Sequence, residues 1–234
     1  MAHKITQAEW EEEMSGKILG FTRNELYMEL RFMDVALSGL VWKSDSSIGT
    51  LATDGEFLYY SFSQLSRVFK SNSRFLNRLY LHSILHCIYG HLWLCGSRSR
   101  ILWDIACDII TEYTIDGLGK QALERPLSFT RQQVYREIEQ YSRAVSAPVI
   151  YNGLFNLDNT VIEKLQMEFY TDSHVYWPKE EKLPSAAINS QSKWDKIVRQ
   201  SQMELESRGD KEKDGTQIFD ERARILKGQR SYSD

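Results

Sequence analysis

The chain has 234 residues, 42% hydrophobic and 26% charged, with a net charge of -3. This is the composition of an ordinary soluble globular protein, with room for one sizeable domain or a domain plus an appendage. The acidic balance, with no basic stripe interleaved with aromatics, argues against nucleic-acid binding. Met1 to Gly20 carries Glu9, Glu11, Glu12 and Glu13 and no apolar centre, so it does not read as a secretory signal. No uncharged apolar run reaches the roughly 20 residues that span a bilayer. Cys87, Cys95 and Cys107 are odd in number and lack C-x-x-C spacing. They read as reduced thiols in the core of a cytoplasmic protein.

Thr6 with Glu9 forms a capping box that opens a mostly polar helix to about Ile18. A second box, Thr22 with Glu25, predicts a longer helix to about Ser38, stopped by Gly39. Val41 to Ser47 reads as a loop. Ile48 to Thr53 alternates like a strand, Asp54-Gly55 is a two-residue hairpin signal, and Phe57 to Tyr60 is the return strand. A short helix is expected over Ser63 to Phe69. Ser71-Asn72-Ser73 then caps a helix that runs to about Tyr89 and stops near Gly90. Further helices are expected over Trp103 to Ile115, Ser128 to Ala144 and Asn159 to Phe169, with a loop over Pro148 to Asn156. Thr171 to Pro178 is an aromatic-rich loop. The compact domain is placed at 1–180. Residues 181–234 read as a charged linker with a helical tail, with helical patches at Ser192 to Leu205 and Gln217 to Lys227.

The helix ending at Tyr89 carries the chemistry. His82, His86 and His91, three of the chain's five histidines, lie within ten positions. His82 and His86 are four apart, about 40° apart in azimuth and one turn apart in height, so a helix presents both imidazoles on one face. That is how a helix offers two ligands to one metal ion. Leu79, Tyr80, Leu81, Ile84, Leu85, Ile88 and Tyr89 make the same helix apolar on nearly every side, which predicts burial.

A third ligand has two candidates. His91 lies about 180° from His82 on a regular helix and joins only if Gly90 turns the chain back. Asp108 sits on the next helix, which a short connection makes an antiparallel neighbour. Asp104 and Glu112, one turn either side of Asp108, would hold the imidazole N–H groups. The bland alternative for these acids is a solvated helix face, and for His174 it is plain loop packing. Histidine and carboxylate ligands suit Zn2+, the expected cofactor, but also iron, nickel or manganese.

In an H-E-x-x-H helix the residue after the first histidine is a glutamate that takes a proton from metal-bound water. Here that position is Ser83, whose hydroxyl is far too weak a base. General-base catalysis is worth about 100- to 10,000-fold, so ordinary peptidase turnover should be crippled. Glu112 is the candidate substitute base.

Asn24 to Tyr27 with Arg31-Phe32, Thr53 to Gly55 with Leu58 to Tyr60, the histidine helix through Gly90-His91, and Trp103 to Asp108 stand in an order that resembles a known family. The family it resembles is the bacterial metallopeptidase-like domain that precedes a von Willebrand factor A-like domain, often discussed beside MoxR-type ATPases. The resemblance covers roughly residues 20 to 180. It implies an α+β, predominantly helical, zincin-like fold with a small hairpin or sheet beside the metal helix. His82 and His86 would be ligands, with Asp108 or His91 completing the set. The Ile48–Tyr60 hairpin would be the edge for an extended peptide. The tail would lead toward a von Willebrand factor A-like domain that these 234 residues do not include. With Ser83 in the base position, the implied function is a metallopeptidase-like pseudoenzyme that binds a protein partner, such as a MoxR-type ATPase or a von Willebrand A-like protein. The alternative is an active metal-dependent hydrolase of polypeptides with a substitute base.

Overall fold

The computed structural model describes residues 5–141, 145–179, 182–208 and 215–230. Helix α1 (Gln7–Glu29) starts as its capping box dictates: Thr6 Oγ1 accepts from the Glu9 amide, and Glu9 returns a carboxylate to the Thr6 amide. It then runs through the expected second start. Ile18, Leu19, Thr22 and Leu26 recur on one buried stripe, so the continuous helix buries more apolar surface than a break at Thr22 would. Thr22 Oγ1 is buried and caps nothing. The helix ends at Leu30. A 3-10 turn (Arg31–Met33) and a short helix α2 (Asp34–Leu37) follow, up to the predicted stop at Gly39. The Trp194 ring lies where a side chain at Gly39 would project.

Three short strands form the sheet: β1 (Val41–Ser44), β2 (Ala52–Thr53) and β3 (Phe57–Tyr60), in the order β1-β3-β2. The hairpin is present, with Ala52 opposite Tyr59 and Thr53 opposite Leu58. Its turn is longer than two residues. Asp54 Oδ1 accepts from the amides of Glu56 and Phe57, and Gly55 takes a positive φ of 88°. Val41 to Ser44 was expected in a loop. It instead pairs parallel to β3, at an edge where Val41, Lys43 and Ser44 are exposed and only Trp42 is partly buried. An edge strand that buries one side chain carries almost no alternation to read.

Helix α3 (Phe62–Ser71) leads into α4 (Ser73–Tyr89), whose amide at Phe75 donates to the Asn72 cap. Every residue from Leu76 to Gly90 is buried, as the apolar circumference predicts. Gly90 closes α4 in the left-handed conformation, with φ 77°. A 3-10 turn (His91–Trp93) reverses the chain into α5 (Arg100–Gly117). Arg78 meets Glu112 and Asp116, His82 meets Glu112 and Asp108, and His86 meets Asp108. The two helices are therefore antiparallel neighbours.

Helix α6 (Phe129–Tyr141) precedes α7 (Ala147–Leu154) and α8 (Asn159–Phe169). Helix α7 replaces the expected loop at Pro148 to Asn156. Pro148 stands in its first turn, where a missing N–H costs nothing, so it marks a helix start rather than a break. Pro184 likewise directly precedes α9 (Ser185–Arg208), and α10 (Thr216–Arg230) ends the described chain. These two helices lie in the region read as linker and tail, and the heart of the expected charged run, 209–214, lies outside the described residues. Trp194, Ile197, Val198, Leu205, Ile218 and Phe219 share one buried cluster with α4. The fold is thus predominantly helical with a small three-stranded sheet. No helix among the described residues is long and apolar enough to cross a membrane.

Candidate metal centre

Five side chains from three segments converge at the C-terminal half of α4. They are His82 and His86 of α4, Asp108 of α5, and Asp172 and His174 of the loop after α8. One ligand atom from each lies within 4.8 Å of all the others. His82 Nε2 and His86 Nε2 are 2.8 Å apart, and each is 3.3 Å from Asp108 Oδ1. Asp172 Oδ1 lies 3.6 Å from His82 Nε2 and 3.7 Å from His86 Nε2. His174 Nε2 is 3.1 Å from both Asp108 Oδ1 and Asp172 Oδ1. Two donors each about 2.1 Å from one cation, at about 90–110° to each other, would be roughly 3.0–3.4 Å apart. The observed separations straddle that range. Asp172 Oδ1 and His174 Nε2 are buried and make no hydrogen bond, although they are 3.1 Å apart. They approach as ligands around a shared centre do, outside hydrogen-bond geometry.

Four of the five donors are aimed by a partner on their far side. His82 Nδ1 is 2.9 Å from Glu112 Oε1, His86 Nδ1 is 2.8 Å from His91 Nδ1, and His174 Nδ1 is 3.3 Å from Asp104 Oδ1. Each imidazole therefore turns its Nε2 inward. Ser83 Oγ has one proton. It lies 2.8 Å from Asp172 Oδ2 and 3.3 Å from its own-helix carbonyl at Leu79, so the shorter bond leaves Asp172 Oδ1 facing the centre.

The loop is held from several sides. Ser173 donates its amide to Leu51 O at 2.8 Å and bridges Ala52 in parallel, so the chain's own loop sits on the outer edge of β2. That is the edge expected to receive an extended peptide. Arg100 donates to His174 O and Pro178 O, and Trp177 stacks on the His174 ring at 3.6 Å.

The charges divide sharply. Burial disfavours the His82 cation, but the Asp172 charge and the bonds to Asp108 and Glu112 lift its pKa to about 9. Burial and the neighbouring His82 push His86 down to about 4. His174 overcomes burial through the Asp108 carboxylate and sits well above the ordinary histidine value. Asp108 is held well below the usual carboxylate range, burial being outweighed by His174. For Glu112, burial is outweighed by the hydrogen bond to His82 and the charge of Arg78, which also hold its carboxyl low. Glu112 Oε2 accepts from Arg78 and Arg131, both at 2.6 Å.

Of the residues expected from the sequence, His82, His86 and Asp108 belong to the five-donor group. Gly90 does turn the chain back, but His91 lands behind His86 rather than among the donors. Glu112 stands behind His82, and Ser83 behind Asp172. His174, read as loop packing, supplies a donor, and Asp172 was missed. A signal for both existed. In extended backbone, residues two apart face the same side, and Asp172 and His174 flank the bridging Ser173. No protein-family model, curated protein or solved structure matches the chain.

Proposed function

We propose that this protein binds one divalent first-row transition ion through His82, His86, His174, Asp108 and Asp172. The observation that carries this reading is the convergence of five donors, four of them buried, with the outward atoms of His82, His86, His174 and Asp172 already engaged. Two carboxylates and neutral imidazoles balance a dication. Three nitrogens with two oxygens suit zinc, iron or manganese, with zinc first because the resemblance implies it. We read the module as a silent relative of zincin-like metallopeptidase domains. The Ser83 hydroxyl is committed to Asp172, and the carboxylate of Glu112 is committed to two guanidinium groups. In this reading the ion ties α4, α5 and the 170–178 loop together, and the module's role is to bind a protein. The resemblance points to a MoxR-type ATPase or a von Willebrand A-like protein as partner.

One observation favours the second reading, an active hydrolase. His174 lines a cavity of about 620 Å³ together with Asp104, Arg98 and Arg100. Elemental analysis of protein purified without chelator tests the ion, with one equivalent expected. Incubation of the loaded protein with unfolded polypeptide separates the readings. No hydrolysis is expected, whereas turnover that His82→Ala abolishes would establish the hydrolase.

A further inference from the structure

Two consecutive residues of α10 grip the end of α4 that carries the centre. Arg222 Nη1 donates to Tyr89 O at 2.9 Å. Its guanidinium fills the space where a side chain at Gly90 would project, which only a glycine leaves open. The carboxyl group of Glu221 accepts from the Ala147 amide at the start of α7, at 2.9 Å, and Glu221 is almost wholly buried. Its Oε1 lies 3.7 Å from His91 Nε2, longer than a hydrogen bond, and both His91 Nε2 and Glu221 Oε2 are buried without partners. His91 in turn touches His86 through Nδ1.

We propose that α10 is a latch on the metal centre: Arg222 holds the end of α4 at Tyr89 O while Glu221, acting through His91, fixes the imidazole of His86, so that docking of α10 and metal binding favour each other. The inference rests on the proposed metal site and adds its regulation. A metal ligand at His86 Nε2 must be neutral, with its one proton on Nδ1. That proton is donated to His91 Nδ1, so His91 carries its own proton on Nε2, aimed at Glu221. The bound ion thus presents a buried donor to α10 across a gap that a shift of less than 1 Å closes. Glu221 is a positioning residue here. Outer partners of metal-bound histidines are typically worth about 10- to 100-fold in affinity, and linkage requires the metal to tighten α10 by the same factor.

The test titrates the full chain with Co2+. Glu221→Ala should weaken Co2+ binding about tenfold and shift the ligand-field absorption bands, and Glu221→Gln, which keeps an acceptor oxygen, should recover most of the loss. In the parent chain, Co2+ should slow amide exchange in α10 more than in α3. Equal affinity and identical spectra for Glu221→Ala and parent would overturn the latch. Should that variant fail to fold, equal protection of α10 and α3 in the parent overturns it as well. A parent chain that takes up no Co2+ overturns the metal site itself, and the latch with it.

Discussion

The α4–α5 pair buries two clusters, one helical turn apart, that each set carboxylates against basic groups. At one, Glu112 and Asp116 meet the guanidinium groups of Arg78 and Arg131. At the other, Asp108 and Asp172 meet three imidazoles. An arginine is permanently charged and cannot be displaced, so the first cluster is a fixed ionic joint. An imidazole, unlike a guanidinium, can give up its proton, so the second can trade protons for a metal dication. His82 belongs to both, with Nδ1 on Glu112 and Nε2 in the donor group. The fixed joint therefore aims the exchangeable one.

Breaking each cluster should give different results. Glu112→Gln leaves two buried guanidinium groups short of a counter-charge. It should cost about 3–5 kcal/mol in denaturant unfolding, with or without metal. Asp172→Asn should leave the chelator-treated protein folded but remove its stabilisation by metal. That stabilisation is about 2.7 kcal/mol for the parent at ion concentrations 100 times Kd, and calorimetric melting with and without the ion reads the difference. Ser83→Ala removes the hydroxyl that turns Asp172 inward, and competition titration should show affinity about tenfold weaker. Unchanged affinity would make Ser83 mere packing.

Glu221 sharpens the contrast, because burial lifts its carboxyl to about 8 and it keeps its own proton. The folded chain then holds a proton that the unfolded chain releases above about pH 4.5, so this contribution is complete at low pH and fades as pH rises through 8. Between pH 7 and 8 the loss is about 1 kcal/mol. Chelator-treated Glu221→Gln should lack that part of the slope in parallel urea titrations.

The histidine helix, a cap within Ser71–Ser73, its stop at Gly90 and the antiparallel α5 were legible because each follows from local spacing. So were His82 and His86, with Asp108 as one of two candidates for the third place. The rest of the centre is non-local. Asp172 and His174 arrive about 90 residues after His82, on a loop positioned by the bridge to Ala52, and no helical or strand period announces such a docking. The errors have the same origin. Burial carried α1 past a good cap at Thr22, pairing with β3 made Val41 to Ser44 a strand, and apolar docking placed α9 and α10 against α4. Local chemistry proposes starts and stops, but tertiary burial selects among them.

The most direct measurement is a crystallographic anomalous difference map of protein purified without chelator, collected at the absorption edge of the ion that elemental analysis finds. One peak per chain is expected, about 2.0–2.2 Å from Nε2 of His82, His86 and His174 and from Oδ1 of Asp108 and Asp172. A peak elsewhere, or none in protein soaked with zinc, manganese and iron(II) in turn, would contradict the proposed site.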